Sequence, residues 1–506
     1  MKKIFFILLF SALSQVLYSQ KIIEYQSGMG TKDTNNANVW ILYNKVIATH
    51  EGMNLYADSA HYDNSLNNFT AFRNIKIELT DTTTIYGDKL FYNGNTRIVE
   101  IWGKKVIFID GETCLVTTHL IYNRNTNTAS YDTKGTTTNK DNTMISMNGL
   151  YYSDLKEFLV YDSVKLSDLS SMVVTDTLRY NTNTNIALFK SPTYIYSDST
   201  VIYSEYGWYN TNTKIAHSNK NTKVSSGSQL LMSDTLNYNE SRKITIANSN
   251  VTISDSVNDF ICKGNYAYSD ELKHYLFMTK RATAIFVDNA DSLYMHSDTI
   301  FATTNNANEF ESVKAYHHVK FYRKDIQGSC DSVFYNVPDS IITMFYDPVI
   351  WNDDNQFTAD TIVIKLDSTG VKQIFLNGNV FISQRVDATK YNQINGKNAI
   401  VYLDGKNPLY CDILGNAQSI FYLTEEQEDG TNALLGVNVG IGSGMRIYFN
   451  ENREPTRIVT HTNPDMTTYP IKDFPEEKKT LKGFKWCQDR RPLHVNDIYI
   501  HYNMKK

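Results

Sequence analysis

An aspartate recurs in one setting along the chain, at Asp58, Asp88, Asp176, Asp234, Asp298, Asp331 and Asp360. A row of carboxylates could hold calcium or supply general acids and bases. Each stands at the start of a strand-like phrase, mostly beside Ser or Thr, which points instead to turn capping. His317-His318 is the one adjacent histidine pair; neighbouring strand residues face opposite ways, so the two cannot readily share a metal. Cys114, Cys262, Cys330, Cys411 and Cys487 are far apart and form no CxxC, which excludes a zinc knuckle or a redox motif. They read as small buried apolar residues, with no pairing defined. Gly440-Ile441-Gly442-Ser443-Gly444 misplaces the serine of a nucleophile elbow, and Met445 takes the last glycine of a dinucleotide loop. No Walker loop, HExxH or DxDxDG occurs. The expectation is no catalytic residue, no metal and no cofactor.

With chemistry absent, the elements themselves become the subject. The 506 residues are 42% apolar and 20% charged, which excludes wholesale disorder. The net charge of −5 leaves no positive excess to neutralise phosphates, so no nucleic-acid partner is expected. The 13% aromatic content favours strands, while 9 prolines and 24 glycines exclude collagen-like and Pro-rich architectures. Lys2 and Lys3, the apolar run Ile4 to Leu17 and the small Ser19 read as a signal peptide over residues 1–19, with a mature start near Gln20. No cysteine follows to carry a lipid, and no later stretch reaches 18 apolar residues, so the chain reads as exported and soluble.

Internal repetition decides the fold class. Gly87-Asp88-Lys89-Leu90-Phe91-Tyr92-Asn93 returns as Thr117 to Asn123, Met147 to Ser153, Thr175 to Asn181 and Ser233 to Asn239. The anchor tyrosine falls at 62, 92, 122, 152, 180, 209, 238 and 268, a period of 28 to 30 residues. Alternation along a strand puts Leu90/Tyr92, Leu120/Tyr122, Leu150/Tyr152, Leu178/Tyr180, Leu236/Tyr238 and Val333/Tyr335 on a constrained inner face. Lys89 and Arg179 fall on a tolerant outer one. Asn/Thr-rich tips follow, as at Asn181-Thr182-Asn183-Thr184-Asn185. A second strand then carries a midway kink, as at Trp102-Gly103-Lys104-Lys105 or Asn377-Gly378-Asn379, which suits a bend between two sheets. The repeats fill residues 20–423. An acidic loop and one terminal repeat strand occupy 424–449, and a Pro-rich tail 450–506 holds five of the nine prolines and one short helix within 474–491.

At these residues the chain resembles the OstA-like, or LptA-type, periplasmic lipopolysaccharide-transport family, in a multi-repeat, Bacteroidota-style form. The unit Gly87-Asp88-Lys89-Leu90-Phe91-Tyr92, followed by Ile98 to Val106, carries the likeness, and Val371 to Ser383 repeats its second half. The resemblance implies an all-β, elongated jellyroll of about a dozen repeats: two stacked antiparallel sheets in a V whose interior holds lipid. It implies a non-enzymatic carrier of lipopolysaccharide acyl chains in the periplasm, associated with the outer membrane. Its partners would be jellyroll-type transport proteins at both membranes, joined by edge-strand pairing. The twelve inward residues named above are then candidates to line the lipid groove. The residues alone also allow plain core packing, in an exported β-solenoid scaffold or surface adhesin. A polysaccharide lyase or hydrolase would need convergent acids that the even polar distribution does not offer. Two strands per sheet per unit, at roughly 4.8 Å each, give a stack on the order of 100 Å, with the tail covering one end.

Overall fold

In the strand Thr83–Asn93, Thr83 and Ile85 are buried, Gly87 to Lys89 are not, and Leu90 and Tyr92 are buried again. The inward residues change from odd to even across Asp88. The ladder to Ile98–Asp110 slips at the same place, between Tyr86 and Lys89. The strand therefore turns a corner there, and both of its halves present apolar side chains to one interior. Repetition of this strand gives two antiparallel sheets hinged along a row of corners, an all-β jellyroll. The computed structural model describes residues 22–501, except 289–290, 308, 369, 405–406, 427–431, 451–454 and 463. The expected signal peptide lies outside the described residues, as do residues 427–430 of the expected acidic loop. Among the described residues the helices are 3-10 turns of three to five residues.

The corners are built in two ways: strands such as Thr83–Asn93 change parity, whereas Asn68–Glu78 keeps it, with Phe69, Ala71, Ile75 and Ile77 all inward. Consecutive residues take left-handed backbone angles at Asn44/Lys45, Arg73/Asn74, Asp162/Ser163, Ser249/Asn250, Lys280/Arg281 and Tyr346/Asp347. The recurring aspartates sit at the corners, Asp58, Asp88, Asp176, Asp298 and Asp331 in mid-strand and Asp234 and Asp360 just before the strands that begin at Thr235 and Thr361. Six of the seven accept a hydrogen bond from a corner residue of the neighbouring strand. Asn74 Nδ2 donates to Asp58 at 2.8 Å, the Lys104 backbone N–H to Asp88 at 2.9 Å and Asn250 Nδ2 to Asp234 at 2.8 Å. His318 and His317 donate through Nδ1 to Asp298 and Asp331 at 2.9 and 2.8 Å, and Asn379 donates to Asp360 at 3.0 Å. Gly378, at φ +75°, leaves room for Asp360: a Cβ there would stand 2.2 Å from its Oδ2. Capping, as expected from the residue types, is thus what the aspartates do.

The chain forms two units, residues 1–198 with 208–212, and residues 199–207 with 213–506. In the first, the asparagine tips are stitched one period apart: Asn95 Nδ2 donates to the Leu66 carbonyl, Asn125 to Thr96 and Asn181 to Leu155. In the second, strands lengthen to Asn407–Glu426 and Asn432–Phe449. Thr424 and Glu425 pair with Leu434 and Ala433, so the start of the expected acidic loop is strand, because a long antiparallel partner is there to receive it. Pairing also continues past the expected end of the body. Pro455–His461 and Asp465–Pro470 both join Asn432–Phe449, with prolines at strand ends where no ladder N–H is needed.

Beyond Pro470 the tail does not cap the end of the stack. It runs back over the outer face of one sheet of the second unit as a strap. Phe474 packs on Tyr422 and Val437. Gln393 donates to the Lys479 carbonyl at 2.8 Å and accepts from Leu481 N–H at 2.9 Å. Gln356 repeats this clamp on Lys485 and Cys487, at 2.8 and 2.7 Å, above the fully buried Trp351. Arg491 reaches Gln327, and Tyr499 reaches Thr283. The helix expected within 474–491 is reduced to single turns at Glu476–Lys478 and Gln488–Arg490, because the backbone between them bonds to glutamine side chains instead of to itself. Burial beneath the strap, with Arg490 nearby, lowers the Lys320 ammonium from 10.5 to about 8, against the attraction of Asp497 and Asp489. Between those values the unfolded chain binds the extra proton, so wild-type stability rises with pH. Measured against Lys320→Met by urea unfolding, the wild type should gain on the order of 1–3 kcal/mol from pH 8 to 10.5; a flat difference would place Lys320 in water.

Candidate functional site

The candidate site is the interior between the sheets of each unit, and the two interiors differ. In the first unit the row farthest from the corner is aromatic. Tyr62, Phe69, Tyr92, Val99 and Tyr122 stand opposite one another across successive ladders, followed by Ala129, Tyr151, Phe158 and Tyr180. The phenols cross the mouth of the V to the other sheet. Tyr92 Oη lies 2.6 Å from His50 Nδ1 and accepts from Arg124 at 2.8 Å. Tyr151 donates to Asp110 at 2.8 Å, and Lys156 pairs with the same carboxylate at 2.6 Å. Tyr209 donates to Ser171 at 2.9 Å. Burial pushes Tyr92 and Tyr151 up from the ordinary phenol value, Asp110 adding to the rise at Tyr151, so both stay protonated. This interior is filled and latched.

Leu90, Tyr92, Leu120, Tyr122, Leu178 and Tyr180 face this interior and are buried, and Leu236 and Tyr238 are buried in the interior of the second unit. Leu150 and Tyr152 do not face inward; they lie on the outer face, and Gly149 and Tyr151 take their slots. The cause is the Tyr131 ring, which would stand 2.4 Å from a Cβ at residue 149, so only glycine fits the inner position. The repeat likewise turns Tyr268 outward, where it stacks on Tyr275 and Phe277. Val333 and Tyr335 face inward but are only half-buried. His50, Asp110 and Arg124, which latch the mouth, are not distinguishable in the sequence from other surface polar residues.

In the second unit the mouth keeps the buried Tyr238 and loses its phenols thereafter, apart from Tyr335. Counting four residues past each corner, the tyrosine series gives way to Ala302, Tyr335, Ile364, Val401 and Ile447, of which only Tyr335 can hydrogen-bond. These sit in an unbroken row, each opposite the next: Val313, Tyr335, Ile342, Ile364, Ile374, Val401, Cys411 and Ile447. The opposing half supplies Met295, Phe321, Gly328, Ile350, Phe357, Ile382 and Ile394 in the same way. Val313, Ile342, Ile364, Ile374, Phe321, Phe357 and Ile382 are half-buried, where the equivalent residues of the first unit are closed off. The result is an apolar groove whose side chains stay partly accessible from Val313 to Ile374, built from neutral residues that could bind hydrocarbon.

A family model described as OstA-like protein matches residues 19–176 and 170–285, more than half of the chain. The chain belongs to the OstA-like family. A second model, described as LptA/(LptD N-terminal domain) LPS transport protein, matches residues 286–370 of this OstA-like chain. That match covers the first part of the open groove, whereas the OstA-like model covers the latched unit and continues into the second unit as far as residue 285. Among solved structures, LptH, the LptA homologous periplasmic component of the lipopolysaccharide transport device of Pseudomonas aeruginosa, is similar at 14% identity and a TM-score of 0.22, over 29% of this chain and 99% of its own. No curated protein matches significantly.

Inner and outer positions should respond differently to charge. Leu120→Asp or Tyr180→Asp places a carboxylate in a sealed interior and should cost more than about 3 kcal/mol in urea unfolding. Lys89→Asp, on the outer face, should cost on the order of 1 kcal/mol. Equal losses at both faces would contradict the assignment.

Proposed function

We propose that the protein is a non-enzymatic periplasmic carrier in which lipopolysaccharide acyl chains lie between the sheets during transport to the outer membrane. The single observation that carries this reading is the half-buried, mostly aliphatic row from Val313 to Ile374, which faces a second apolar row instead of being sealed. Hydrocarbon entering such a groove gains about 0.8 kcal/mol per buried CH₂, so a few acyl chains suffice without a charged site. Rungs of similar lining give neighbouring positions of similar affinity, which lets a chain pass along rather than stick. Val333 and Tyr335 are the lining residues of this reading that are already accessible. Leu90, Tyr92, Leu120, Tyr122, Leu178, Tyr180, Leu236 and Tyr238 would join them only where the tyrosine latches release. Lipopolysaccharide transport is what the second family description names, and its match over residues 286–370 supports placing the cargo there.

Partners of the same jellyroll type would join at open strand edges. The short first strands, Glu24–Gln26 and Met29–Lys32, leave such an edge at the start of the stack, and backbone groups there are a template for strand addition. A filled scaffold is the competing reading, favoured for the first unit by its latched interior.

A photo-crosslinking residue at position 342 or 364 should capture lipopolysaccharide in cells, and protein purified without detergent should carry it by mass spectrometry. The same probe at position 120 should capture little. Absence of adduct at 342 and 364, with no co-purifying lipid, would remove the carrier reading.

A further inference from the structure

The strap ends beside a cluster of imidazoles that no sequence spacing foretells. His296, Asp298 and His501 bring one ligand atom each within 4.8 Å of one another. His318 joins them: its ring centre is 4.8 Å from that of His501, nearly perpendicular, and its Nδ1 holds Asp298 at 2.9 Å. The rings of His296 and His501 lie 5.6 Å apart. The tautomers are fixed by their partners. His296 Nδ1 faces the Ala282 carbonyl at 2.7 Å, and a carbonyl only accepts, so Nδ1 carries the proton and Nε2 carries the lone pair. His318 Nδ1 faces a carboxylate, with the same consequence. A ring N–H held by a carbonyl or carboxylate while the other nitrogen points into a cluster is the usual support of a metal-bound histidine.

We propose that His296, His318, His501 and Asp298 form a binding site for a divalent transition metal of the zinc class, which staples the end of the strap to the sheet. Imidazole nitrogens with one carboxylate suit zinc at about 2.0–2.1 Å and tetrahedral geometry. Donors at that distance stand about 3.4 Å apart, closer than the present spread. His501 is exposed and the Asp298 carboxylate is half-exposed, so both have room to close in. The neighbouring cation is Arg281, whose guanidinium lies 4.2 Å from the Tyr499 ring, and the Asp298 carboxylate offsets it. Among the described residues His296 and His318 come from neighbouring strands, Leu293–Thr304 and Phe310–Arg323, while His501 comes from the strap. Metal therefore links segments about two hundred residues apart in the chain, a long loop to close.

The test uses the full mature chain with cobalt as a spectroscopic stand-in and zinc as competitor. One equivalent of cobalt should give the intense visible bands of a tetrahedral site, displaced by zinc. His501→Ala and His318→Ala should each weaken zinc binding at least tenfold, while His461→Ala, an exposed histidine elsewhere in the unit, should not. Because neither of the first two residues lies in the core, circular dichroism should report an unchanged fold for both. Absence of tetrahedral bands, or equal zinc affinity in wild type and His501→Ala, would overturn the proposal.

Discussion

The corner in each long strand is the constraint on which the rest depends. A regular strand sends every second side chain to the same face, so a strand that bends to serve two facing sheets must reset its inward residues at the bend. Two devices alternate: the aspartate strands change parity, as from Ile85 to Leu90, whereas paired left-handed residues keep it, as from Ala71 to Ile75. The aspartate accepts from an asparagine side chain or a backbone N–H at the neighbouring bend. Once the corner is set, residues two and four positions beyond it are fixed as interior. Their identity alone then decides whether the interior is filled or open.

That decision is made at one position per repeat. Tyrosine four residues past the corner is long enough to cross the mouth and meet His50, Asp110 or Ser171, so the first unit is sealed by hydrogen bonds made in a dry interior, where they are strong. Isoleucine, valine or alanine at the same position cannot cross, and the second unit keeps an apolar floor in contact with water. One scaffold thus yields a latched half and an open half without any change of topology. The strap compensates elsewhere: the second unit's outer face carries Trp351, Ile420 and Val437, which burial beneath residues 474–501 removes from solvent.

Much of this was legible in the residues. The period, the tyrosine anchor, the asparagine tips and the midway kinks gave the strands, and the kinks fell where the ladders slip. Two local departures were not legible. At Leu150 and Tyr152 the repeat advances by one residue, because a ring from the preceding strand demands glycine at 149. In the tail, prolines and charge suggested a helix and an end cap, but partners supplied by Gln356 and Gln393, over a hundred and nearly ninety residues upstream, dictated an extended strap. The open groove was hidden for the opposite reason: its residues are ordinary strand formers, and only counting from each corner separates mouth from core.

Thiol labelling measures the difference between the two interiors directly. With Cys114 and Cys487 replaced by serine, single cysteines at Ile364, Phe357 and Leu120 would be exposed to a small maleimide, with and without lipopolysaccharide. Labelling at 364 and 357 should be rapid and suppressed by lipopolysaccharide, and labelling at 120 should be slow under both conditions. Equal rates at all three positions, or rates at 364 and 357 that lipid leaves unchanged, would contradict that difference.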